Sequence, residues 1–199
     1  MRGIEMIDLE SFKILKRNKS TLKETSKRKN DGLDLFMTES NLEVVDFDAV
    51  KLDYTGEIAS PYTPTSSDAL FIDDNGECFL IEFKDGFIDN KVSYEIWLKM
   101  LDSLLILTDI LENTVSFTRK KLNFILVYNE GKNPLPEGVN EGMQVSASRV
   151  TIAEYFIEKK SKKRFIRFNL ERFDELYFVN VFTYNQSIFE SEFILKKTS

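Results

Sequence analysis

The chain of 199 residues is 42% hydrophobic and holds 17 phenylalanines, enough apolar material for one domain with a substantial core. It has no histidine and one cysteine, Cys78, which excludes Ser/His/Asp and Cys/His nucleophiles, His-bearing metal sites, cysteine-cluster zinc sites and internal disulfides. A formal net charge of −6 argues against a generic nucleic-acid coat protein, and with no long apolar run and no charged-then-apolar leader in MRGIEMIDLE, the sequence predicts a cytoplasmic protein without a membrane partner.

In chain order, Ile4, Ile7, Phe12 and Leu15 recur at helical spacing and predict a first helix over 4–17. Basic residues then crowd together: Lys13, Lys16, Arg17, Lys19, Lys23, Lys27, Arg28 and Lys29 stand against one acid, Glu24, in a stretch that reads as a linker with a capping box at Thr21–Glu24. A second basic run holds Lys159, Lys160, Lys162, Lys163, Arg164 and Arg167. Each run alone is most simply a solvated surface, but two of them in an acidic chain favour a polyanionic partner. EVVDFDAVKLDYTGE, rich in β-branched and aromatic residues, predicts an extended segment or outer strand, and ASPYTPTSSD a loop.

DALFID and ECFLIEFK flank Asp74-Asn75-Gly76, a hairpin signal. After Gly86, Val92, Ile96, Trp97, Met100, Leu101, Leu104, Leu105, Thr108 and Leu111 mark a long amphipathic helix with Asp89 or Asn90 as its N-cap. KLNFILVYNE reads as a strand buried on both faces and EGKNPLPEGVNEG as a surface loop. A helix over about 151–158, strand-like RFIRFNL, a strand LYFVNVFTY and a closing helix QSIFESEFILKK complete the chain. The expected fold is α/β, one domain, with a mixed central sheet flanked by helices on both faces: a core over about 4–130 and a C-terminal α+β extension over about 145–199.

On the second hairpin arm Cys78, Leu80, Glu82 and Lys84 share one face, and Phe79, Ile81 and Phe83 the other. Both faces are mainly apolar, so an unpaired charge there is costly. A three-residue loop with Gly76 left-handed pairs Asp73 with Glu77 and sets Asp68 opposite Glu82; a two-residue loop would send Asp68 to the other face. Two facing carboxylates repel unless a positive charge lies between them, and a divalent metal ion would satisfy both. The alternative is an exposed Glu82–Lys84 ion pair where the strand emerges, with Asp68 merely starting the first arm. Cys78, facing inward with no histidine to activate it, reads as an inert core thiol.

Asp68 followed by Glu82-Phe83-Lys84 on a hairpin, with a helix before and a long helix and strand after, resembles the PD-(D/E)XK nuclease superfamily with its restriction-endonuclease-like αβββαβ core. The resemblance implies that Asp68, Glu82 and the backbone carbonyl of Phe83 hold Mg2+ or Mn2+ and that Lys84 orients or activates the attacking water. Ser67 stands where the family usually has proline. An extra acid from the first helix would be Glu10, with Glu5 behind it, and a polar residue on the following helix would be Lys91 or Glu95. The implied function is a metal-dependent phosphodiesterase or nuclease, with Lys13, Lys16, Arg17, Lys27, Arg28, Lys162, Lys163 and Arg164 positioning a nucleic-acid backbone. From a different class, the same scaffold suits a non-catalytic immunity, antitoxin-like or defence-system binding partner. The aromatic C-terminal third would supply any homodimer or protein contact.

Overall fold

The computed structural model describes residues 9–30, 33–135 and 165–198. A 3-10 turn, Leu9–Ser11, leads into α1 (Lys13–Arg17), which buries Ile14 and Leu15. Within these residues the continuous first helix is not formed, because Phe12 is extended (φ −107°, ψ 99°) and starts α1 afresh. The lysine-rich stretch is no linker either. It forms β1 (Lys19–Thr21), α2 (Leu22–Thr25), β2 (Lys27–Asn30) and β3 (Leu33–Phe36). One half of the capping box is formed, the Glu24 N–H donating to Thr21 Oγ1 at 3.3 Å, and Leu22 is fully buried. Acids from flanking segments neutralise the lysines: Lys19 meets Glu43 at 2.9 Å, Lys23 meets Glu39 at 2.6 Å and Lys27 meets Asp34 at 2.8 Å.

EVVDFDAVKLDYTGE divides where the sequence predicts one extended segment. Glu43–Asp46 is a strand, β4, and Phe47–Glu57 a helix, α3. Asp46 makes the division, its Oδ1 accepting the Ala49 N–H at 3.0 Å as an N-cap. The hairpin β5 (Ala69–Ile72) and β6 (Cys78–Lys84) follows. Its turn is the three-residue form: Gly76 has φ 70°, its N–H bonds the Asp73 carbonyl at 2.9 Å, and the Asp73 N–H bonds the Glu77 carbonyl at 3.0 Å. α4 (Asn90–Ile110) starts at Asp89, whose Oδ1 accepts the Val92 N–H at 2.8 Å. A helix the periodicity did not reveal, α5 (Val115–Lys121), precedes β7 (Leu122–Tyr128), which is buried along its whole length.

The described part of RFIRFNL, residues 165–170, is not a strand, since Phe168 and Asn169 are left-handed (φ 61° and 56°) and lead into a 3-10 turn, Leu170–Phe173. LYFVNVFTY becomes a strand only in its second half, as β8 (Val181–Asn185). The closing helix is present: α6 (Gln186–Phe189), a π-turn (Glu190–Ile194) and α7 (Leu195–Thr198) run on without a break. The expected helix over 151–158 lies outside the described residues.

Six strands form one sheet in the order β1-β4-β5-β6-β7-β8. Neighbours from β1 to β6 are antiparallel, while β6–β7, joined through α4, and β7–β8 are parallel. The molecule is therefore α/β with a mixed central sheet. Alternation along β6 divides the core as the sequence predicts. Cys78 and Leu80 pack with Phe47 and Val50 of α3 and Ile96, Met100, Leu104 and Leu107 of α4, while Phe79, Ile81 and Phe83 pack with Leu22, Phe189 and Phe193. Burial of the thiol on the first face pushes its pKa up to about 12, so Cys78 is no nucleophile.

Candidate functional site

Four charged side chains converge where β5 begins and β6 ends. Glu82 is completely buried, and beside it the side chains of Asp68, Lys99 and Lys84 are only 17%, 21% and 23% exposed. The Lys99 ammonium lies 2.8 Å from Glu82 Oε1, 3.0 Å from Glu82 Oε2 and 3.4 Å from Asp68 Oδ1. Lys84 Nζ reaches Glu82 Oε1 at 2.9 Å. The exposed ion pair that the sequence left open is excluded for Glu82, which has no solvent contact.

The hairpin register decides this convergence. Ala69 pairs with Ile81, Leu70 with Leu80, Phe71 with Phe79 and Ile72 with Cys78. The regular pairing stops one residue short of Asp68 and Glu82, because the Asp68 N–H turns to the Ile81 carbonyl at 3.0 Å. Asp68 nevertheless keeps its carboxylate on the Glu82 side. Its Oδ2 accepts the Phe83 N–H at 2.6 Å, while Oδ1 is left to face Lys99.

α4 holds the strand entrance from above. Asp102 Oδ2 accepts both the backbone N–H and the hydroxyl of Thr65 at 2.8 Å, and Ser103 Oγ accepts the Ser67 N–H at 2.8 Å. Lys99, one turn before Ser103, then drops its ammonium between the carboxylates. Lys91 and Glu95, the helix residues read from the sequence, are instead exposed. Lys99 was legible in principle: it lies three residues after Ile96 and four before Ser103, on the stripe that faces the core, and a lysine there needs a buried partner.

The electrostatics are unbalanced at Asp68. Burial and the neighbouring Glu82 charge push its carboxyl up to about 7, against the pull of Lys99, the Phe83 N–H and Lys84. For Lys99, burial alone would lower the ammonium, but the Glu82 and Asp68 charges and the Glu82 hydrogen bond outweigh it and raise it above its ordinary value. One monovalent cation thus satisfies Glu82 well and Asp68 poorly.

A divalent cation fits this donor set. The carboxylates are hard oxygen ligands on neighbouring strands, already aimed at one cationic centre, and magnesium commonly takes one or two protein carboxylates with the rest of its shell from water and phosphate. Among the described residues no group of three or more Asp, Glu, Cys or His side chains converges, so a third acid has no support there. Glu10 lies in the Leu9–Ser11 turn.

Three of the basic residues read as a phosphate track are engaged elsewhere. Arg17 pairs with Asp53 at 2.5 Å and Glu57 at 2.7 Å, Lys27 with Asp34 at 2.8 Å, and Arg28 with Asp85. Lys13 and Lys16 are exposed on α1. Lys162, Lys163 and Arg164 lie outside the described residues. The Arg28–Asp85 bridge sets the β2–β3 hairpin beside the end of β6, where Lys132 also reaches Asp85 at 2.6 Å.

No protein-family model matches the chain. No curated protein and no solved structure matches it either. Among the described residues no helix is long and apolar enough to cross a membrane.

Proposed function

We propose that this protein is a metal-dependent phosphodiesterase of PD-(D/E)XK type acting on nucleic acid, with Asp68 and Glu82 as ligands for Mg2+ or Mn2+. The observation that carries the reading is the convergence of the buried Glu82 of β6 and the half-buried Asp68, just before β5, on one cation, with a second ammonium, Lys84, 2.9 Å from the same glutamate. The succession of three antiparallel strands β4, β5 and β6, the long helix α4 and a parallel strand β7 supports it.

In this reading Asp68 and Glu82 bind the metal, with the Phe83 carbonyl as the further ligand that the resemblance implies. The bound ion supplies Lewis-acid polarisation of a phosphoryl oxygen and activation of water. Lys84, held on the rim by Glu82, presents N–H donors to the water and to the charge that develops at phosphorus. The buried walls from Leu80 and α4 exclude bulk solvent on the inner side, which strengthens each of these charge interactions. Lys13, Lys16, Lys162, Lys163 and Arg164 are the basic residues this reading assigns to a phosphate backbone.

One observation favours a second reading, a non-catalytic binding partner on the same scaffold: the Lys99 and Lys84 ammonium groups already stand against the carboxylate pair without a metal. Cleavage of plasmid and single-stranded DNA and of RNA in Mg2+ or Mn2+ separates the two. The expected outcome is metal-dependent cleavage by the wild type, reduced ~100-fold or more in Lys84→Ala. No cleavage of any of these substrates, together with no metal-induced rise in melting temperature, would establish the non-catalytic reading.

A further inference from the structure

We propose that the Lys99 ammonium is a tethered cation that closes the Asp68–Glu82 pair, and that a divalent ion enters only by displacing it. This rests on the reading of that pair as a metal site and adds how the site is kept closed. Lys99 touches both oxygens of Glu82 and one of Asp68, at 2.8, 3.0 and 3.4 Å, and so occupies the space between the carboxylates. An ion bound there meets either the ammonium or its own ligands, because two cations cannot share the same oxygens at contact distance.

The fold also offers the displaced ammonium a second anion. Asp48, in the first turn of α3, also acts electrostatically on Lys99. Its Oδ1 accepts hydrogen bonds from Ser66 Oγ and from Lys51 Nζ at 2.7 Å. Ser66 stands two residues before Asp68, so Asp48 borders the same end of the site. Lys99 is seated on Glu82, and Asp48, whose side chain is 53% exposed, is a further anion at that end of the site. The groups facing Lys99 are Asp68 and Glu82 from the hairpin and Asp48 from α3, with Lys84 as the neighbouring like charge.

Displacement has a cost that appears as weaker metal affinity. Breaking charge-assisted hydrogen bonds to a buried carboxylate costs about 1.5–3 kcal/mol, roughly ten- to hundredfold in a binding constant. Lys99→Gln, which keeps a hydrogen-bond donor but removes the charge, should therefore bind Mn2+ at least ~tenfold more tightly than the wild type, read as the midpoint of the metal-induced rise in melting temperature. Lys91→Gln, the same charge change in the exposed first turn of α4, should leave that midpoint unchanged. Lys99→Gln also exposes the carboxylates to mutual repulsion, so without metal it should melt below the wild type and recover on adding Mn2+.

If Lys99→Gln does not fold, NMR of the lysine ammonium groups in the wild type decides instead. The Lys99 ammonium should be protected from exchange without metal and lose that protection on adding Mg2+. An equal or weaker midpoint in Lys99→Gln, or a Lys99 ammonium that stays protected while Mg2+ binds, would overturn the tethered-cation proposal and leave the metal site standing. Failure of both wild type and Lys99→Gln to respond to millimolar Mn2+ would overturn the metal reading with it.

Discussion

At the residue scale, two carboxylates show how opposite surroundings act on the same chemical group. Asp68 is raised because burial and Glu82 outweigh its partners. Asp73 is lowered: burial works against it, but the Lys197 ammonium at 2.7 Å and the turn N–H groups of Asn75 and Glu77, both at 2.9 Å, favour the charged form more strongly. A depressed carboxyl contributes stability that is present above its unfolded value, about 3.9, and is lost as pH falls through the lower folded value. Wild type should therefore lose stability as pH falls below about 4, and Asp73→Asn should show a flatter acid limb in urea unfolding curves taken across that range. An identical acid limb in the variant would mean that Lys197 and the turn do not hold this charge.

At the scale of elements, the closing helix is the piece that completes the second face of the sheet. Phe193 packs edge-on against Phe71 and Phe79, with ring centroids 5.6 and 5.2 Å away, and stacks on Phe189 at 5.2 Å. Phe193→Ala should cost ~3 kcal/mol in chemical denaturation, the usual magnitude for emptying a buried aromatic site; a loss below ~1 kcal/mol would show that the helix does not seal this face. What the sequence disclosed at this scale was local. The β5–β6 turn was readable because Gly76 is the residue that tolerates φ 70°, and α4 because its apolar residues repeat every three or four positions. The split of β4 from α3 was hidden, since Val44, Val45 and Val50 look alike in an extended or helical pattern and only the Asp46 side chain, capping Ala49, marks the change. The strand character of Lys27–Asn30 was hidden too, because it comes from backbone pairing with Leu33–Phe36 across the hairpin rather than from an apolar alternation of its own residues. In the site, Asp68, Glu82 and Lys84 were legible from hairpin register, whereas Lys99 belongs to a different element and is joined to them only by the packing of α4 on β6.

At the scale of the molecule, the two apolar clusters are opposite faces of one sheet, and β5, β6 and β7 contribute to both. Neither face can be lost without exposing the strands that carry the other. Unfolding should be a single transition, with near-ultraviolet dichroism of Trp97, packed against the α4 side, superimposing on the far-ultraviolet signal of the backbone. Separated midpoints would mean that the faces unfold independently. The same architecture carries the charged cluster: β5 and β6 hold the carboxylates, α4 lays a lysine across them, and the sheet keeps Glu82 from water. A metal ion at this point would replace a weak compromise at Asp68 with a charge large enough for both acids.

Anomalous diffraction from a crystal equilibrated with Mn2+ tests that claim most directly. The account predicts a peak bonded to oxygens of both Asp68 and Glu82, at roughly 2.0–2.3 Å as hard oxygen ligands require, with the Lys99 ammonium moved off Glu82. An ammonium still seated on both carboxylates, with no anomalous density between them at saturating Mn2+, would contradict it.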